Sequence, residues 1–209
     1  MDLRRTLLLF SFIFTGSLAI AQPKDRWTIQ DGGAIRWSIN DNIPHDDHLE
    51  MSGQQLSVVL RYGVDAQKRF HLNRSLVFPM LRMHPNKTQN NLKQRFDVNI
   101  PALVTVDDQT LLNEEVRDVT FNGIMRVESS FGYIYRRKEL KDAVQLTRVL
   151  YPSTNAAHYC EEYTFKNSSP NQITLRVPEW NVIYTTPEEA GVYGAYCIEA
   201  ALSKSGVFV

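Results

Sequence analysis

The chain has 209 residues, with 23 basic residues against 23 acidic ones and no formal net charge. Such a balance gives no electrostatic reason to expect nucleic acid or anionic lipid as a partner. Aromatic residues make up 11% of the chain, which argues against disorder, and the length suits one domain with a real hydrophobic core.

The first segment reads as a secretory signal peptide, residues 1–21. Arg4 and Arg5 form a short basic start, and Leu7 to Ile13 is an apolar run. Ala19-Ile20-Ala21 then offers small residues where a signal peptidase must accept them. Ser11, Thr15, Gly16 and Ser17 break the run too often for a membrane span. No Cys stands at the cleavage point, so no lipid anchor is indicated. The sequence therefore predicts export to the periplasm or the extracellular space. Residues 22–209 form the exported domain, with no membrane association after cleavage.

The next signals have a period of two. Asp31-Gly32-Gly33 separates Trp27–Gln30 from Ala34–Ile39, as a hairpin turn does. Ile43 to Gly53 follows, with His45, Asp46, Asp47, His48 and Glu50 packed beside a Pro and a Gly. It reads as an acidic, histidine-containing loop, and three readings stay open. The imidazoles and carboxylates suit a divalent ion, although the spacing matches no metal motif. They equally suit hydrogen bonding to sugar hydroxyls, and a carboxylate pair is what glycoside hydrolysis uses. The third reading is a surface loop whose polar side chains satisfy local backbone groups.

Beyond that loop, Leu56, Val58, Leu60 and Tyr62 alternate with smaller or polar residues, which places one strand face inward. Leu76–Leu81 is an apolar strand that exits into Arg82-Met83-His84-Pro85-Asn86. Asp107-Asp108 marks a turn. Asn122-Gly123 joins Arg117–Phe121 to Ile124–Glu128, a strong hairpin signal because both turn residues tolerate positive φ. Glu139–Val144 comes closest to a helical pattern but does not sustain it. Tyr159, Glu161, Tyr163 and Phe165 form one strand face, with a carboxylate among aromatics. Asn167-Ser168-Ser169-Pro170 is a loop. Ile173, Leu175 and Val177, then Ile198, Ala200 and Leu202, mark further strands. Many short strands with frequent turns predict an all-β fold, a large antiparallel β-sandwich.

Cys160 and Cys197 are the two cysteines. Export permits a disulfide between them, but two buried thiols serve equally well, and spacing alone does not decide. Gly206 to Val209 looks like the start of a strand, so the chain is expected to be the leading domain of a longer protein. Trp27 and Trp180 are candidates for stacking on a sugar ring, against a core role as the alternative. No nucleophile elbow, Walker loop or dinucleotide fingerprint is present, and no cofactor or metal is expected.

Several stretches carry a family resemblance. Pro44-His45-Asp46-Asp47-His48-Leu49-Glu50-Met51-Ser52-Gly53, Leu60-Arg61-Tyr62-Gly63-Val64 and Phe78-Pro79-Met80-Leu81-Arg82 resemble the N-terminal region of secreted six-hairpin glycosidase-like proteins. Leu146–Ser153, Glu162–Asn167 and Thr186–Tyr196 add to the likeness. The resemblance implies a supersandwich-like β domain that precedes a helical (α/α)6 barrel. The barrel holds the catalytic carboxylates, so no catalytic residue carries over to this chain. It implies an accessory domain of an exported glycoside hydrolase, with carbohydrate and the missing barrel as partners. A substrate-contacting role is implied for His45, Asp46, Asp47, His48 and Glu50. A stand-alone carbohydrate-binding or structural interaction module is the alternative.

Overall fold

The computed structural model describes residues 25–40, 42–83, 91–188 and 194–203. The signal peptide, His84-Pro85-Asn86 and the expected strand at Gly206–Val209 lie outside these residues.

Two antiparallel sheets form the body. One has six strands in the order β1-β2-β9-β10-β11-β12. They are β1 (Thr28–Ile29), β2 (Ile35–Ser38), β9 (Leu112–Phe121), β10 (Met125–Tyr135), β11 (Lys138–Pro152) and β12 (Tyr159–Asn167). The other has four strands in the order β3-β4-β5-β6. These are β3 (His45–Ser52), β4 (Ser57–Val64), β5 (Phe70–Arg82) and β6 (Asn91–Phe96). A three-stranded sheet joins β13 (Leu175–Arg176), β7 (Thr105–Val106) and β8 (Gln109–Thr110). A final pair joins β14 (Trp180–Thr185) and β15 (Cys197–Leu202). A 3-10 turn spans Ile100–Leu103. The all-β, sandwich-like architecture is the one the period-two pattern predicts.

The main core lies between the two large sheets. Val58, Leu60, Tyr62 and Val64 of β4 pack with Trp37, Val119, Met125, Val127 and Leu150 from the six-stranded sheet. A smaller core under the three-stranded sheet gathers Val106, Phe131, Tyr133, Val144 and Leu146. Each fully buried aliphatic side chain contributes on the order of 1.5–3 kcal/mol by leaving water.

The turns obey their residues. Asn122-Gly123 closes the β9–β10 hairpin, with Gly123 at φ 93° and Phe121 opposite Met125. Asp107 and Asp108 both adopt positive φ between β7 and β8, a conformation that short polar side chains tolerate. Glu139–Val144 falls within β11, not in a helix.

One expectation resolves differently from the sequence reading. The segment from His45 to Ser52 is not a loop but an eight-residue strand, paired with β4 along its full length. Its inward positions are His45, Asp47, Leu49 and Met51, so polar residues occupy half of a buried-side pattern and disguise the alternation. The open question over the cysteines also closes. Both are free thiols, Cys160 on β12 and Cys197 on β15, in different sheets.

Two buried ion pairs lie in the interior, one crossing between the large sheets and one within the six-stranded sheet. Arg74 of β5 makes a two-point contact with Glu161 of β12, its Nη2 donating to Oε2 at 2.8 Å. Its Nη1 donates to the Val98 carbonyl at 2.9 Å, and Nη2 also reaches the Tyr163 hydroxyl at 3.2 Å. The Arg74 side chain is only 7% exposed. Arg148 of β11 pairs with Glu114 of β9, donates to the Ser129 hydroxyl at 3.0 Å, and lies 5.2 Å from the Phe70 ring centre. A buried charge needs an opposite charge close by, since desolvation costs several kcal/mol per ion.

Candidate functional site: a cleft at the β4–β5 turn

The chain turns from β4 to β5 through Asp65-Ala66-Gln67-Lys68-Arg69. Asp65 organises this turn. Its Oδ1 accepts from the backbone N–H of Gln67 at 2.8 Å and of Arg69 at 2.9 Å, and its Oδ2 accepts from Arg69 Nε at 2.7 Å. Burial pushes the Asp65 carboxyl up, but the Arg69 backbone N–H, the Arg69 guanidinium and the Gln67 N–H together hold it below the ordinary range. The turn is tied to β9 by the Val116 N–H, which donates to the Lys68 carbonyl at 2.8 Å.

Beside this turn lies a cleft of about 350 Å³. Asp65, Arg69, Phe70 and His71 line one wall. Asn99, Pro101 and Ala102 from the 3-10 turn line a second, and Leu111, Asn113, Glu114 and Phe131 complete it. A second cleft of about 330 Å³ shares Arg69, Asn113 and Glu114 and continues over Glu115, Glu139, Lys141 and Asp142. The two are therefore contiguous through the shared residues.

Local backbone irregularity shapes the second cleft. The β10 register slips between Ser130 and Gly132 against β9, and between Phe131 and Tyr133 against β11. A Cβ on Gly132 would sit 2.9 Å from the Leu140 carbonyl oxygen, so glycine lets the two strands close at the slip. Asn113 and Asp142 both take positive φ there. Asn113 Nδ2 donates to Glu139 Oε1 at 2.7 Å. Asp142 accepts from the Ser130 hydroxyl and from Arg117 at 3.1 Å. The Ser130 hydrogen bond is the main reason its carboxyl is held low, with Arg117 adding to it against partial burial.

The five polar residues predicted on β3 divide between its faces. His45 and Asp47 point toward the core edge, with His45 Nε2 3.5 Å from Asp47 Oδ2 and the imidazole edge-on to Trp37 at 5.3 Å. Asp46, His48 and Glu50 point to solvent. His48 reaches back only to Asp47, its backbone N–H donating to Oδ1 at 2.8 Å. Asp46 alone connects to the cleft, because its Oδ1 lies 2.7 Å from Nε2 of His71, a cleft-lining residue. Among the described residues no three His, Cys, Asp or Glu side chains are arranged to hold a metal ion.

The two tryptophans stand apart from the clefts. Trp27 packs edge-on to Trp37 at 5.9 Å and against Phe121 at 5.3 Å. Trp180 sits on β14 opposite Leu202. Sequence reading missed Asp65, Arg69, His71, Asn113 and Glu114. A signal for two of the contributing places was nevertheless present: Gly63 and Gly132 interrupt otherwise strand-like runs, which marks a bulge or a close approach.

Comparison with known proteins finds no matching family model, no matching curated protein and no matching solved structure. The likeness to six-hairpin glycosidase-like proteins rests on the sequence stretches quoted above.

Proposed function

We propose that the protein is a saccharide-binding β-sandwich domain of an exported glycoside hydrolase, acting as an accessory and not as the catalyst. The composition of the joined clefts carries this reading. Carboxylates, amides, a guanidinium and an imidazole surround a concave space that Phe70 and the largely buried Phe131 also line. Such mixtures suit sugars, which present both hydroxyls and apolar ring faces.

The state of the carboxylates favours binding over hydrolysis. A glycosidase needs one carboxyl that is protonated near neutral pH and a second that is ionised. Asp65 is tied to Arg69 and Glu114 to Arg148, and Asp65 and Asp142 are both held low. With their carboxyls held low, Asp65 and Asp142 serve as hydrogen-bond acceptors and not as proton donors.

The test is titration calorimetry and a glycan array on the whole chain, with a parallel assay for released sugar. Saturable binding without turnover is expected. Arg69→Ala and Asn99→Ala should each weaken it about tenfold, the value of one good polar contact. Turnover that Asp65→Asn abolishes would sink the accessory reading. Binding that survives both cleft variants but fails in Trp180→Ala would move the site to an aromatic platform. Absence of binding to every glycan would overturn the proposal.

A further inference from the structure

Three residues on three adjacent strands stand in one row: Asp46 on β3 is the register partner of Gly63 on β4, and Gly63 is the partner of His71 on β5. Partners across a sheet point to the same side. Asp46 and His71 are next-nearest neighbours, separated by the strand between them, and they touch only because that strand carries no side chain there. A Cβ built on Gly63 would lie 2.1 Å from Asp46 Oδ1 and 2.4 Å from both Cε1 and Nε2 of His71. The pair closes over the glycine at 2.7 Å. Both side chains are largely solvent-exposed, Asp46 at 81% and His71 at 51%, so burial does not force them together.

We infer that Asp46 is a positioning residue that sets the tautomer of His71 and thereby adds a defined imidazole acceptor for a ligand hydroxyl to the cleft. This rests on the saccharide reading of the cleft. A carboxylate on Nε2 holds the proton of a neutral imidazole on that nitrogen. The second ring nitrogen, Nδ1, is then a bare acceptor on a side chain that lines the cleft. The carboxylates there have cationic partners: Asp65 has Arg69, and Glu114 has Arg148. A neutral acceptor selects a ligand that donates, as a sugar hydroxyl does. Gly63 is part of the device because any side chain would part the pair.

The test uses the full chain with nitrogen-15-labelled histidine, at alkaline pH where free imidazole is neutral, and a panel of cello-, malto-, xylo- and mannohexaose for binding. Wild-type His71 should show the Nε2-protonated spectrum. Asp46→Ala should lose that signature and weaken binding about three- to tenfold, the effect of one lost hydrogen bond. Asp46→Asn, whose carbonyl can still accept from Nε2, should restore most of both. His71→Ala should weaken binding about tenfold. Gly63→Ala should reproduce the Asp46→Ala spectrum with both residues of the pair retained. An Nδ1-protonated His71 in the wild type, or an Asp46→Ala variant unchanged in spectrum and affinity, overturns the inference. If the spectra behave as expected but no hexaose binds, the saccharide reading falls and the acceptor role with it, while the Asp46–His71 pairing stands.

Discussion

The interior bridges and the cleft-rim pairs use the same chemistry in opposite settings. Arg74–Glu161, between the sheets, and Arg148–Glu114, within the six-stranded sheet, are both buried, and each arginine has further partners. Arg69–Asp65 and His71–Asp46 sit at the surface around one cleft. The interior pairs have no freedom to exchange partners, since an uncompensated buried charge is costly. The rim pairs keep water contact and can accept a ligand with little penalty. The difference assigns Arg74–Glu161 to holding the two sheets together and Arg148–Glu114 to bracing the six-stranded sheet, and it leaves the exposed pairs open to the binding proposed above.

The largest expected effect breaks the interior side. Glu161→Ala leaves the Arg74 guanidinium buried without its anion and should cost about 3–5 kcal/mol in urea denaturation. The double variant Arg74→Met with Glu161→Leu should recover most of that loss, because an apolar pair of similar volume needs no desolvation. If Glu161→Ala costs no more than Arg69→Ala, the contrast between the two regions fails.

Backbone approach gives the next step. A Cβ on Gly53 would meet the Ser153 carbonyl oxygen at 1.9 Å, and backbone cannot swing aside. Gly53→Ala should destabilise by about 1–3 kcal/mol, the usual cost of overpacking. Gly63→Ala meets only the ends of two exposed side chains and should cost less than Gly53→Ala. Thermal melts of the two variants give the ranking directly.

Removing an exposed pair should matter least to stability. Arg69→Ala is expected to change it by less than about 1 kcal/mol while still weakening glycan binding, measured by melts and calorimetry on one sample. The interior cluster also predicts a response confined to high pH. Burial, and then the Glu161 carboxylate, push the hydroxyls of Tyr159 and Tyr163 well above the ordinary tyrosine range. The raised folded-state value means their contribution is complete below the unfolded tyrosine pKa of about 10 and is lost as pH rises beyond it. Unfolding midpoints should hold steady from pH 7 to about 10 and then fall, and Tyr159→Phe should flatten the fall.

Much of the fold was legible from local pattern. The inward face of β4, the hairpin at Asn122-Gly123 and the turn at Asp107-Asp108 follow from alternation and φ tolerance alone. The carboxylate among aromatics at Glu161 was visible too, but its partner was not, because Arg74 lies 87 residues away and reads as an ordinary strand residue. On β3 the pattern misled. Two histidines, two aspartates and a glutamate within eight positions look like a loop until pairing with β4 sorts them by face.

By itself the sequence determined the all-β class, most turns and the alternating inward faces, since these depend on neighbouring residues and on a two-residue repeat. Tertiary structure decided the cleft and the pairings. Asp65, Asn99, Asn113 and Phe131 line one cleft only because the strand order brings together segments that no local period connects. Asp46 meets His71 for the same reason, across a glycine whose missing side chain acquires meaning only when three strands lie side by side.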